Sequence, residues 1–175
     1  MYLACFGLAE KPFAITPDPR YLFLGAHHAD ALAHLVYGIN DAGGFIQLTG
    51  EVGTGKTTTI RSLLARAPAG ADIALIINPR LSSLEFLQTV CEELGIVVPG
   101  STGGTGGNAR ELVGLLNRHL LATHAAGRRA VLIVDEAQNL AVEVLEQLRL
   151  LTNLETATQK LLQIILIGQP ELRAL

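Results

Sequence analysis

The chain has 175 residues, of which 49% are hydrophobic and only 5% aromatic, with no Trp and a net charge of -3. That length suits one α/β domain with a proper core, and an interior of Leu, Ile, Val and Ala suits a parallel sheet covered by helices. The acidic balance, with a pI near 5.9, argues against a dominant non-specific nucleic-acid surface, and two isolated cysteines, Cys5 and Cys91, signal neither a zinc site nor a disulfide framework.

Free thiols point to a reducing compartment. No apolar stretch approaches the roughly 18 residues needed to span a bilayer, and Met1 to Cys5 lacks the basic region of a secretory signal, so the expectation is a soluble, cytoplasmic segment. The opening, Phe6-Gly7-Leu8-Ala9-Glu10-Lys11-Pro12-Phe13 and Thr16-Pro17-Asp18-Pro19, is too rich in Pro for one regular element; residues 1–26 read as an ordered strap on the domain. From about His27 to Asp41, Leu32, Leu35, Val36 and Ile39 recur with helical spacing, and Gly43-Gly44 turns the chain into a first strand, Phe45 to Thr49. His27 and His28 read as surface or capping residues, with a place in a nucleoside pocket as the alternative; neither has metal-binding spacing.

Next comes Gly50-Glu51-Val52-Gly53-Thr54-Gly55-Lys56-Thr57, which fits the phosphate-binding pattern GxxxxGK[ST] at every fixed position. Glycines 50, 53 and 55 let the backbone aim several N–H groups at phosphate oxygens, and a helix opening near Lys56 adds the positive end of its dipole. Glu51, Val52, Thr54 and Thr58 complete the cradle. Lys56 is expected to reach the β- and γ-phosphates, and the Thr57 hydroxyl to ligate Mg²⁺. Thr57, Thr58, Thr59, Ile60, Leu63 and Leu64 carry the helix, so strand, loop and helix follow in the order that triphosphate binding requires.

Ile73 to Ile77 is a second buried strand, and Ser82 with Glu85 resembles a capping box opening an amphipathic helix that ends at Gly95. Pro99 to Gly107 reads as a mobile surface loop; without Lys or a preceding strand it is no second phosphate cradle. Asn108 and Glu111 begin another helix, with Leu112, Leu115, Leu116, His119 and Leu120 on one face. A third strand, Ala130 to Val134, precedes a helix from about Ala141 to Leu154, and Leu161 to Ile167 forms the fourth strand. This βα alternation predicts a three-layer αβα sandwich with a mostly parallel sheet, and a ligand site beyond the carboxyl ends of its strands.

At that edge the third strand delivers Asp135 and Glu136. Asp135 is expected to hold Mg²⁺ through water, since Mg²⁺ keeps much of its hydration shell and takes few protein carboxylates; Glu136 is expected to orient or deprotonate the attacking water. Gln169, after the fourth strand, is placed to contact the γ-phosphate or the lytic water, and equally to serve as a turn residue before Pro170. Gln138 and Asn139 read as the start of a loop or a helix cap. Arg149 reads as a solvated helix residue, and Arg173 is not assigned.

With these motifs in place, the chain resembles the AAA+ ATPases related to general secretion pathway protein A and to pilus-biogenesis ATPases, over nearly all 175 residues. The likeness is carried by the Phe6 to Pro19 opening, Gly50 to Thr58, Asp135-Glu136-Ala137-Gln138-Asn139 and Leu166-Ile167-Gly168-Gln169-Pro170-Glu171-Leu172. It implies a P-loop NTPase fold, ATP and Mg²⁺ as ligands, nucleotide-dependent homo-oligomer formation, and work in assembling secretion or pilus machinery in the cell envelope. By the same resemblance Pro12-Phe13 and the helix from His27 flank the adenine, Gln169 takes the first sensor position, and longer relatives are anchored in the bacterial inner membrane. ATP is favoured over GTP, since no NKxD signature occurs. A DNA-binding transposition helper, or a nucleotide-gated interaction module with little turnover, is the alternative. Family members continue into a fifth core strand and a helical lid, so this chain reads as a C-terminally truncated AAA+ core with an exposed apolar edge on its first strand.

Overall fold

Four short apolar runs form the sheet of the computed structural model, which describes residues 2–9, 25–40, 44–68, 70–99 and 107–174. They are β1 (Gly44–Thr49), β2 (Asp72–Ile76), β3 (Ala130–Val134) and β4 (Leu162–Gly168), all parallel, in the spatial order β1-β4-β3-β2. Alternation along each strand divides the side chains between two faces. Val131 and Ile133 of β3, with Ile165 and Ile167 of β4, pack beneath α2 (Ala26–Asn40) and α3 (Lys56–Arg66), meeting Leu32, Leu35, Ile39, Ile60 and Leu63. Leu132, Val134 and Ile164 face the other way, against α4 (Ser83–Glu93), α5 (Ala109–Ala125) and α6 (Val142–Leu151). The result is the three-layer αβα sandwich, and every residue of β3 is buried because helices cover both of its faces.

Local sequence sets the helix starts. Ser82 and Glu85 form a reciprocal capping box on α4, with Ser82 N–H donating to Glu85 Oε2 at 2.8 Å, and Asn108 and Glu111 repeat it on α5. The Ser82 hydroxyl and N–H hold the Glu85 carboxyl below its ordinary pKa. At the far end of the sheet from the strands' carboxyl termini, Asp72 accepts from Thr123 at 2.8 Å, meets His119 at 3.2 Å and pairs with Arg128, tying the end of α5 to the start of β2.

Several boundaries differ from those expected. A helical turn, α1 (Tyr2–Cys5), opens the chain where no regular element was anticipated. The helix expected from Ala141 to Leu154 ends at Leu151: Leu161 N–H donates to Leu154 O and Glu155 bridges Lys160, so the chain leaves the helix to make a short hairpin before β4. The Pro12 to Pro19 part of the strap and the glycines at 100, 103, 104 and 106 lie outside the described residues. Strand β1 pairs with β4 alone among the described strands, and Phe45 on it is half exposed. No helix among the described residues is long and apolar enough to cross a membrane.

Candidate active site

Thr49 lies opposite Gly168 and Val134 opposite Leu166, so β1, β4 and β3 all end at one edge of the sheet. The loop from Gly50 to Gly55 leaves that edge and enters α3. Gly50 N–H extends the ladder to Gly168 O at 3.1 Å, and a tight turn follows in which Thr54 Oγ1 donates to Glu51 O at 2.8 Å. Gly53 and Gly55 have φ of 82° and 85°, a left-handed conformation that L side chains resist. A Cβ added to Gly50 would lie 2.9 Å from Thr54 Oγ1, so a side chain there would displace the Thr54 hydroxyl that closes the turn. Glu51, Val52, Gly53 and Thr54 are exposed, and Thr58 is half-buried on the first turn of α3.

Helix α3 begins differently from α4 and α5. Its first residues follow Gly55 with no side-chain cap, so the N–H groups of its opening turn and the positive end of its dipole are directed at the loop. Lys56 folds along the same loop, its Nζ donating to Gly50 O at 2.8 Å and Glu51 O at 2.9 Å. His28 Nε2 lies 2.8 Å from Thr54 O, and a Cβ on Gly55 would approach that nitrogen to 3.4 Å. The imidazole thus backs the loop, a contact that the surface or capping reading of His28 did not include.

Asp135 follows β3, its N–H donating to Ile76 O at 2.9 Å, and is 4% exposed. The Thr57 hydroxyl donates to its Oδ2 at 3.5 Å, and Glu136 N–H donates to its Oδ1 at 2.9 Å. Burial raises the Asp135 pKa, and the neighbouring Glu136 charge adds to this; Glu136 N–H, the Thr57 hydroxyl and the Lys56 charge oppose it. A carboxylate destabilised by burial favours a cation beside it, and the Thr57 hydroxyl offers a second hard oxygen. Glu136 has φ 53° and ψ 37°, left-handed for a residue with a side chain, and this turns it away from the direction of Asp135.

Gln138 belongs to the site. Its Nε2 donates to Glu136 Oε2 at 2.6 Å and its Oε1 accepts from Gln169 N–H at 3.0 Å, whereas the sequence, which put it near the site, favoured a loop or cap role. The signal that could have revealed it is the Asp-Glu-x-Gln spacing, which returns a long amide to the carboxylate two residues earlier. Asn139 ends the single 3₁₀ turn Ala137–Asn139, its N–H donating to Glu136 O at 2.9 Å. Gln169 enters through its backbone N–H. Arg149 is exposed and pairs with Glu146 at 2.6 Å, while Arg173 Nε donates to Thr49 Oγ1 at 2.9 Å, at the end of β1.

The donor set fits magnesium and a triphosphate: hard oxygen ligands from one hydroxyl and one carboxylate, a loop whose glycines at 53 and 55 take left-handed backbone, and an uncapped helix start. Among the described residues no group of three or more His, Cys, Asp or Glu gathers to hold a metal, and Thr57 and Asp135 are the side chains at this edge that could do so.

Over 173 residues the chain is 53% identical to general secretion pathway protein A of Aeromonas hydrophila, covering 99% of this chain and 31% of that protein's length. Among solved structures, Cdc6p from Pyrobaculum aerophilum superposes with a TM-score of 0.66 at 21% identity, over 93% of this chain and 42% of that one. The Aeropyrum pernix ORC2 protein, solved as ADPNP–ADP complexes, superposes with a TM-score of 0.59 at 18% identity, over 89% of this chain and 43% of that one. These two likenesses bear on the fold alone. Residues 39–175 match the AAA domain family, and the chain belongs to it, as a member of the AAA ATPases.

Proposed function

We propose that the chain binds ATP with Mg²⁺ and hydrolyses it, as the AAA core, residues 1–175 with a strap at 1–26, of an ATPase that drives assembly of a cell-envelope secretion or pilus complex. The observation that carries the catalytic part is the meeting of the loop and the third strand: Thr57 Oγ1 lies 3.5 Å from the buried Asp135 carboxylate, beside Lys56. The cargo follows the relative named general secretion pathway protein A, of which this chain spans 31%. Homo-oligomer formation and a cytoplasmic position, with membrane anchoring in a longer protein, belong to the same reading. A DNA partner has no support from the net charge of -3.

In this reading the loop amides and Lys56 bind and orient the phosphates, and Thr57 and Asp135 hold the metal. Magnesium, when bound, neutralises charge on the β- and γ-phosphate oxygens. Glu136 orients a water and takes its proton as the water oxygen attacks the γ-phosphorus and the bond to the β-phosphate oxygen breaks. Gln169 stands at the same edge, where its side chain can reach the γ-phosphate or that water.

The test is nucleotide binding and turnover by the purified chain with two variants. Lys56→Ala is expected to lose ATP affinity. Glu136→Gln is expected to keep it while turnover falls by about a hundred- to ten-thousand-fold, the span of a positioned general base. Unchanged ATP binding by Lys56→Ala would defeat the phosphate-loop assignment, and normal turnover by Glu136→Gln would defeat that of the base.

A further inference from the structure

Gln138 spends both ends of one amide on the site. A backbone N–H can only donate, so the Gln138 oxygen must face Gln169 N–H and its NH₂ must face the Glu136 carboxylate; no flipped orientation satisfies both. The bond to Glu136 is charge-assisted and, at 2.6 Å, the shorter of the two.

Two further features converge on this amide. Gly168, the last residue of β4, leaves the space it occupies: a Cβ there would lie 2.5 Å from Gln138 Oε1, 3.1 Å from Leu172 Cδ2 and 3.3 Å from the Gln138 backbone nitrogen. Glu136 itself sits on left-handed backbone, so its side chain leaves the strand on a turn rather than on the rigid pleat, and a tether is what gives its carboxylate one direction.

From these contacts we propose that Gln138 is a positioning residue, an amide clamp that holds Glu136 in its working orientation and references that orientation to the end of β4. The proposal rests on the reading of Glu136 as the base. Because the clamp's other end is the Gln169 backbone, a shift of the β4 end moves the base with it. The end of β4 and the end of β3 are thereby mechanically joined at the point where the water is activated.

The test compares kinetics of the full chain carrying Gln138→Ala, Gln138→Glu and Gly168→Ala, each with and without Glu136→Gln. Gln138→Ala is expected to lower kcat about ten- to hundred-fold, the cost of a misplaced catalytic group, with KM and ATP affinity close to those of the parent. Gln138→Glu keeps an acceptor for Gln169 N–H but sets a like charge against Glu136, and its kcat should fall at least as far. Gly168→Ala displaces the same amide without altering it and should share the kcat defect. In the Glu136→Gln background, read by single turnover, Gln138→Ala should cost nothing more. The clamp is overturned if Gln138→Ala or Gln138→Glu keeps the parent kcat while Glu136→Gln is impaired, or if Gln138→Ala costs as much without the carboxylate as with it. Normal turnover by Glu136→Gln alone strikes instead at the reading of the base.

Discussion

Replacing Gly53 by Ala isolates the cost of the phosphate loop's shape. Its φ is 82°, and a Cβ built there meets nothing within 4 Å, so the substitution carries no steric clash and its whole effect is conformational. Holding an L residue in the left-handed region costs roughly 1–2 kcal/mol. If the loop keeps its course, that sum appears in stability, as a Tm lower by about 2–8 °C for a chain of this size. If the loop relaxes, the same sum appears in binding, as about five- to thirty-fold weaker ATP affinity. Thermal unfolding without nucleotide and an ATP titration, read together, therefore account for it. Gly53→Asn, whose side chain tolerates this region, should show a smaller combined defect. The reasoning is refuted if Gly53→Ala changes neither quantity, or if Asn is as damaging as Ala.

Asp135→Asn should raise stability while impairing magnesium-dependent nucleotide binding. Burial raises the Asp135 pKa, so its contribution to stability is fully present below the unfolded carboxylate pKa and is lost as pH rises through the folded one. At pH 7.5 without nucleotide the Asn variant should melt above the parent, and the gap should close as pH falls into the carboxylate range; melting below the parent at pH 7.5 would contradict this. Cys91 is buried, its pKa pushed up to about 11, whereas Cys5 is exposed. A thiol reagent at pH 8 should accordingly titrate one sulfhydryl in the folded protein and a second only after denaturation, and two immediate equivalents would show that the α4 side of the core is open.

What the sequence made legible was local or strictly ordered. The boxes at Ser82 and Asn108 are complete within four residues, and β3 matches its apolar run because Arg129 and Asp135 bound it. Once β1 and β3 are parallel strands of one sheet, their carboxyl ends share an edge, and this brings Thr57 to Asp135 from positions 78 residues apart. Hidden were contacts made by a side chain reaching out of its own segment. Gln138 meets a backbone group 31 residues on, and His28 reaches a carbonyl 26 residues on; neither leaves a periodic mark. The early end of α6 was equally invisible, because what stops that helix is the pairing of Leu154 with Leu161 and not any breaker in between.

The bare start of α3 has a thermodynamic sequel. Helices α4 and α5 complete their opening turns with their own side chains; α3, like α6, does not, and at α3 the oxygen atoms of a bound phosphate can take that place. A guest that supplies them is in effect a missing structural component, and its concentration becomes a variable of folding: at a hundred times Kd it adds about 2.7 kcal/mol to the native state. Resistance to unfolding or proteolysis then tracks the surrounding nucleotide pool, so that a starved cell and a well-fed one contain differently robust copies of the same molecule.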